Sequence, residues 1–153
     1  MADPSLSSIP VVICGKAEVV GKPVVEGLKP EYEVTLFCTG SKSTAAELPY
    51  ILQGIAPPTQ SSYIGTGLYS RPPVAVIMGI AWDEADVADV KAAIQQTANG
   101  ARPVILRNDK RVSAPQPPSP EYAAQLTRRV RGVLDRFVRG EELDGPEDGV
   151  LWY

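Results

Sequence analysis

Four short, mainly apolar runs constrain this chain more than any other feature: Val11 to Cys14, Glu33 to Cys38, Val74 to Met78 and Pro103 to Arg107. Within each run the apolar residues are consecutive. A strand with one wet face alternates polar and apolar residues, whereas a strand covered on both faces does not need to. The segments between the runs have helical character. The pattern predicts an α/β fold with a doubly wound, Rossmann-like, mainly parallel sheet of four strands and helices on both faces.

The helix signals agree with that frame. Gly21 and Pro23 mark a first helix, with Val24, Val25 and Leu28 on one face before Pro30 stops it. Ser43 to Leu52 forms a second, which Pro49 shortens or kinks. Asp83 caps a third, whose Val87, Val90, Ile94 and Ala98 share a face before Asn99-Gly100 ends it. Ser119-Pro120-Glu121 opens a fourth, with Tyr122, Leu126, Val130, Val133, Leu134 and Phe137 as its buried stripe.

Right-handed crossovers then favour the strand order 2-1-3-4, in which the winding reverses between strands 1 and 3. Ligands in such sheets bind outside the carboxyl ends of the strands at that reversal. The candidate binding residues are therefore Gly15, Lys16, Gly21, Lys22, Thr39, Ser41, Lys42, Gly79 and Trp82. The loop of residues 54–73 enters strand 3 from the amino end and reads as an oligomer contact. The proline-rich loop of residues 108–120 leaves strand 4 at the carboxyl end and reads as a lid.

At 153 residues the chain forms one domain, 1–153, with residues 1–9 as a flexible N-terminus and 140–153 as an acidic, aromatic tail. The tail ends in Val150, Leu151, Trp152 and Tyr153, too much apolar surface to leave in water, so it should dock as an extended segment. Two open sheet edges then suggest a homodimer, with the tail or the Tyr63 and Tyr69 loop crossing the interface.

Composition removes whole classes of chemistry. The chain has no histidine, which excludes a Ser-His-Asp or Cys-His device and a His-liganded metal site. A net charge of −3 offers no general attraction to nucleic acid or anionic membrane. Five arginines of the last helix, Arg128, Arg129, Arg131, Arg136 and Arg139, encircle it rather than forming a stripe, and pair naturally with the five acids from Glu141 to Asp148. The N-terminus lacks the basic and apolar regions of a signal peptide, and no apolar run spans a membrane, so a cytoplasmic location is expected.

The stretch Val11 to Pro23 carries the most specific motif. Gly15 ends the first strand and Gly21 follows six residues later, in the manner of a Gly-x-x-Gly-x-x-Gly turn. On those residues the chain resembles the N-terminal unit of the extended or atypical short-chain dehydrogenases over about its first 110 residues. Gly15 matches that motif's first glycine, Gly21 its third, and Glu18 stands in place of the second. The resemblance implies NAD(P) at the crevice, with Lys42 where NADP-preferring members place a base. Glu18 opposes this, since a carboxylate about 4 Å from a phosphate is repelled by roughly 4 kcal/mol at an effective dielectric near 20. The family's Tyr-x-x-x-Lys is missing, because Leu36, Gly54, Gly67, Pro73 and Leu126 stand four residues after Tyr32, Tyr50, Tyr63, Tyr69 and Tyr122. The whole chain, with its ending from Gly149 to Tyr153, is also similar to small Rossmann-like proteins of filamentous fungi, some encoded beside natural-product genes.

Two weaker signals remain. Residues 38–44 combine a thiol, hydroxyls and a lysine at a helix start, but Thr44 occupies the place where a phosphatase loop needs arginine. Cys38 is a nucleophile only if the helix lowers its pKa. Trp82-Asp83-Glu84 offers a pocket wall, or a helix cap. The reading that accommodates the altered glycine motif is a small-molecule-binding protein catalysing a non-redox step, such as cyclisation, isomerisation or aldol-type chemistry, without a required cofactor and with weak NADP binding at most. The alternatives are an NADP-dependent reductase and a non-catalytic binding or regulatory module.

Overall fold

The computed structural model describes residues 8–153. The chain order is β1 (Ile9–Gly15), α1 (Glu18–Leu28), β2 (Tyr32–Thr39), α2 (Ser41–Ile51), β3 (Ala75–Met78), α3 (Glu84–Gln96), β4 (Val104–Arg107), α4 (Pro120–Val138) and β5 (Val150–Trp152). All sheet pairings are parallel, in the order β2-β1-β3-β4-β5. The fold is α/β and Rossmann-like, and the reversal of winding lies between β1 and β3. The sheet has five strands rather than four. The fifth comes from the aromatic tail, which pairs Val150 with Ile105, Leu151 with Leu106 and Trp152 with Arg107 of its own chain. Most of the 1–9 segment lies outside the described residues, but Ile9 already belongs to β1.

Two apolar layers cover the sheet. On one face Val11, Ile13, Ala75, Ile77 and Leu106 pack with Val24, Val25 and Leu28 of α1 and Leu126, Val130 and Leu134 of α4. On the other, Val12, Cys14, Val76, Met78 and Ile105 pack with Leu48 and Ile51 of α2 and Val87, Val90 and Ile94 of α3. Each run therefore supplies both layers, which is why it reads as continuously apolar.

Helix α1 begins three residues before the glycine that the sequence suggests as its start. Gly21 N–H already bonds Ala17 C=O at 3.1 Å, and Pro23 lies inside the helix. The proline forfeits one backbone bond so early in the helix that the remaining turns carry on. At α3, Asp83 and Asp86 close a reciprocal capping box, each carboxylate accepting from the other's backbone N–H at 3.0 Å.

One irregularity places a residue that matters later. The β1–β2 register slips between Val11, which faces Val34, and Val12, which faces Leu36, so Thr35 is an extra residue on β2. A bulge reverses the facing of everything beyond it. Val34 and Phe37, three residues apart, consequently share the α1–α4 face. The outer edge of this bulged strand is covered by the 54–73 loop: Phe37 N–H bonds Ile64 C=O, Thr66 N–H bonds Val34 C=O and Gly67 N–H bonds Thr35 C=O. Gly65, at φ +127°, crosses so close that a Cβ there would sit 2.5 Å from Thr35 O. This loop is first an intramolecular cover, with Tyr69 buried beneath it and Tyr63 left exposed.

Candidate functional site

A cavity of about 560 Å³ opens at the carboxyl ends of β1 and β3, on the α1–α4 side. That is the position the strand order singles out for ligands, and the volume is typical of small-molecule pockets. Its depth is formed by Ile13, Val24, Phe37, Ile77, Leu126 and the buried phenols Tyr122 and Tyr153. Its mouth is framed by exposed residues of three segments: Lys16, Ala17 and Val19 at the start of α1, Ala81 after β3, and Pro117-Pro118 of the proline-rich loop.

The two glycines of the opening motif serve this wall rather than a turn. Neither has positive φ. A Cβ on Gly21 would lie 2.2 Å from Phe37 Cε2, and one on Gly15 would lie 2.4 Å from Phe37 Cζ. Phe37 thus seats its ring against both glycines, aimed there by the bulge at Thr35. Glu18 is the first residue of α1 and is exposed, so its carboxylate complements the helix N-terminus itself.

The other walls are held by backbone contacts at the strand ends. Trp82 donates its indole N–H to Cys14 C=O at 2.9 Å, and Lys110 Nζ reaches Trp82 C=O at 3.3 Å, tying the proline-rich loop to the turn after β3. Tyr153 crosses from β5 to β3 and donates its phenol to Met78 C=O at 2.6 Å. Arg129 fixes the same residue from α4, donating to Tyr153 C=O at 2.6 Å with its guanidinium 5.6 Å from the ring centre. Burial pushes the Tyr153 phenol well above its ordinary pKa, and the nearby Asn108 amide offsets only part of that. Asn108 itself is buried with neither amide atom hydrogen-bonded among the described residues.

Of the residues singled out from sequence, Gly15, Lys16, Gly21, Gly79 and Trp82 line this cavity, and Lys22, Thr39, Ser41 and Lys42 do not. Lys22 points from the exposed side of α1. Ser41 and Lys42 begin α2 on the other side of the sheet, and Thr39 ends β2 beside the 54–73 loop. Ser41 donates to Asp86 Oδ1 at 2.7 Å, Thr39 N–H bonds Ser61 Oγ at 2.8 Å, and Lys42 lines a surface groove between α2 and α3. Sequence reasoning missed Phe37, Tyr153 and the two prolines as cavity walls, and placed Tyr122 only in a packing stripe. A phenol within that otherwise hydrocarbon stripe was the one available signal.

The thiols are not activated. Cys38 is fully buried, and burial first, then the Glu47 carboxylate, hold its pKa well above the ordinary thiol value. Burial likewise pushes Cys14 up to about 12. Both stay protonated at neutral pH, so the nucleophile reading of Cys38 is set aside.

No family model and no solved structure matches this chain. It is 29% identical over 143 residues to Kojic acid related protein 6 of Aspergillus oryzae, an alignment covering 92% of this chain and 85% of that protein. Among the described residues no helix is long and apolar enough to cross a membrane.

Proposed function

We propose that this protein binds a small, mainly apolar molecule in the cavity at the β1–β3 reversal and promotes a non-redox step on it, of the cyclisation, isomerisation or aldol type. The carrying observation is the seating of Phe37 against Gly15 and Gly21. In a dinucleotide site such glycines let the pyrophosphate approach the backbone closely. Here an aromatic ring takes up that closeness and becomes a wall of the cavity. The lining supports the same reading: Lys16 at the mouth is its only charged residue among those described, and the depth is apolar. A shaped apolar wall acts on a flexible molecule by confining it to a reactive conformation. A role in secondary metabolism is supported by the likeness to a protein named for kojic acid.

2-Acetylnaphthalene and NADPH are the two ligands to titrate, each against the unmutated chain and Ala81→Trp, which obstructs the mouth from an exposed position. The reading expects saturable binding of the naphthyl ketone that Ala81→Trp abolishes, and NADPH binding too weak to saturate. Tight NADPH binding would overturn it and put the reductase first.

A further inference from the structure

Four tyrosines are buried, and three of their hydroxyls are committed to partners. Tyr32 donates to Asp135, Tyr69 accepts from Gln60 Nε2, and Tyr153 donates to Met78 C=O. Tyr122 is the exception: 3% exposed, on the cavity wall, and without a hydrogen bond to its phenol among the described residues. Its oxygen is not among the buried side-chain atoms that lack a partner, so the phenol opens to the cavity and is free to bond what enters it.

We propose that Tyr122 is the hydrogen-bond donor to the ligand, and that the ligand is an uncharged, mainly apolar carbonyl compound whose oxygen accepts that bond. This deepens the cavity reading and rests on it. The geometry restricts the class on three sides. The deep wall carries no charge to balance an ionic group, so a charged ligand would be stripped of water without compensation. The neighbouring phenol of Tyr153 already donates its hydrogen bond to Met78 C=O and does not serve as a second donor. Burial raises the Tyr122 pKa, with Arg129 opposing it only in part, which keeps the phenol protonated and a donor at neutral pH. A ketone oxygen also brings no proton of its own to leave unmatched in the apolar depth.

The probes are 2-acetylnaphthalene and 2-isopropenylnaphthalene, which share a shape and differ in C=O against C=CH2. Equilibrium dialysis gives the ratio of their affinities for the unmutated chain and for Tyr122→Phe. The expected result is a ratio about fivefold to tenfold lower in the variant, the size of one neutral hydrogen bond, with alkene binding unchanged. A ratio unaltered by Tyr122→Phe, while both probes bind, overturns this assignment and leaves the cavity reading standing. Failure of both probes on the unmutated chain overturns the cavity reading and this one with it. If the variant does not fold, the carbonyl stretch of ketone bound to the unmutated chain decides: a shift below its value in hydrocarbon solvent supports the donor, and no shift overturns it.

Discussion

The two sides of the sheet meet the carboxyl strand ends with opposite solutions. On the α2–α3 side several polar residues of the loop at 38–44 and its neighbours are taken up by protein partners. Ser41 is bound to Asp86, Thr44 Oγ1 to Gly40 C=O at 2.7 Å, and Glu47 to Ser61. On the α1–α4 side the residues are mainly apolar, and they enclose a cavity and leave one phenol uncommitted. The difference teaches that a hydroxyl at a switch point can be spent on the fold, as at Ser41 and Thr44, while an apolar wall leaves space beside an uncommitted phenol.

The largest expected effect comes from removing the strand that both sides share. Val150 packs in the α2–α3 layer and Tyr153 in the α1–α4 layer, both buried. A chain stopped after Asp148 should lose about 3 to 6 kcal/mol in urea unfolding, at about 1.5 to 3 for each buried side chain. A loss well under that would mean the two layers do not depend on β5. Next comes Gly21→Ala, expected to cost about 1 to 3 kcal/mol through overpacking against Phe37. Phe37→Leu in the same chain should recover part of it, and strict additivity in that double-mutant cycle would deny the contact.

The pH dependence separates the sides by their titrating groups. Cys14 ionises near 9.0 when unfolded and near 12 when folded, so the native state holds the proton longer. Its contribution is complete below pH 9 and is lost as pH rises through that window, by at most about 1.4 kcal/mol per pH unit. Thermal melts between pH 9 and 10 should therefore fall less steeply for Cys14→Ala than for Tyr122→Phe. Equal slopes would place the alkaline sensitivity elsewhere. The smallest effect is that of Ser41→Ala, expected to cost about 1 kcal/mol of stability while leaving dialysis of the naphthyl ketone unchanged. Altered ketone binding there would blur the contrast between the sides.

Much of the frame was legible because burial on both faces writes itself as consecutive apolar residues. Four strands and the order 2-1-3-4 follow from that and from crossover handedness. β5 escaped because three residues after a Gly, Pro and acid stretch carry no periodicity, and only docking beside β4 makes them a strand. At the site, Gly15, Gly21, Gly79 and Trp82 could be placed because a switch point is a topological address. Phe37 could not, since its facing is set by the bulge at Thr35, which a single run of apolar letters does not announce. Glu18 drew attention as the obstacle to a phosphate, whereas the aromatic ring twenty-two residues from Gly15 fills the close approach.

The loop laid along β2 has a bearing on handling the protein. A sheet strand bonded on one side only is a template for other chains, and this one is shielded by a strap of irregular backbone, not by a sixth strand. Straps lift more readily than strands. Heating or prolonged storage should thus expose β2 before the core melts, and precipitation rather than reversible unfolding would be the first sign. Gly65→Val, which cannot adopt the crossing beside Thr35, should bring that precipitation to a lower temperature.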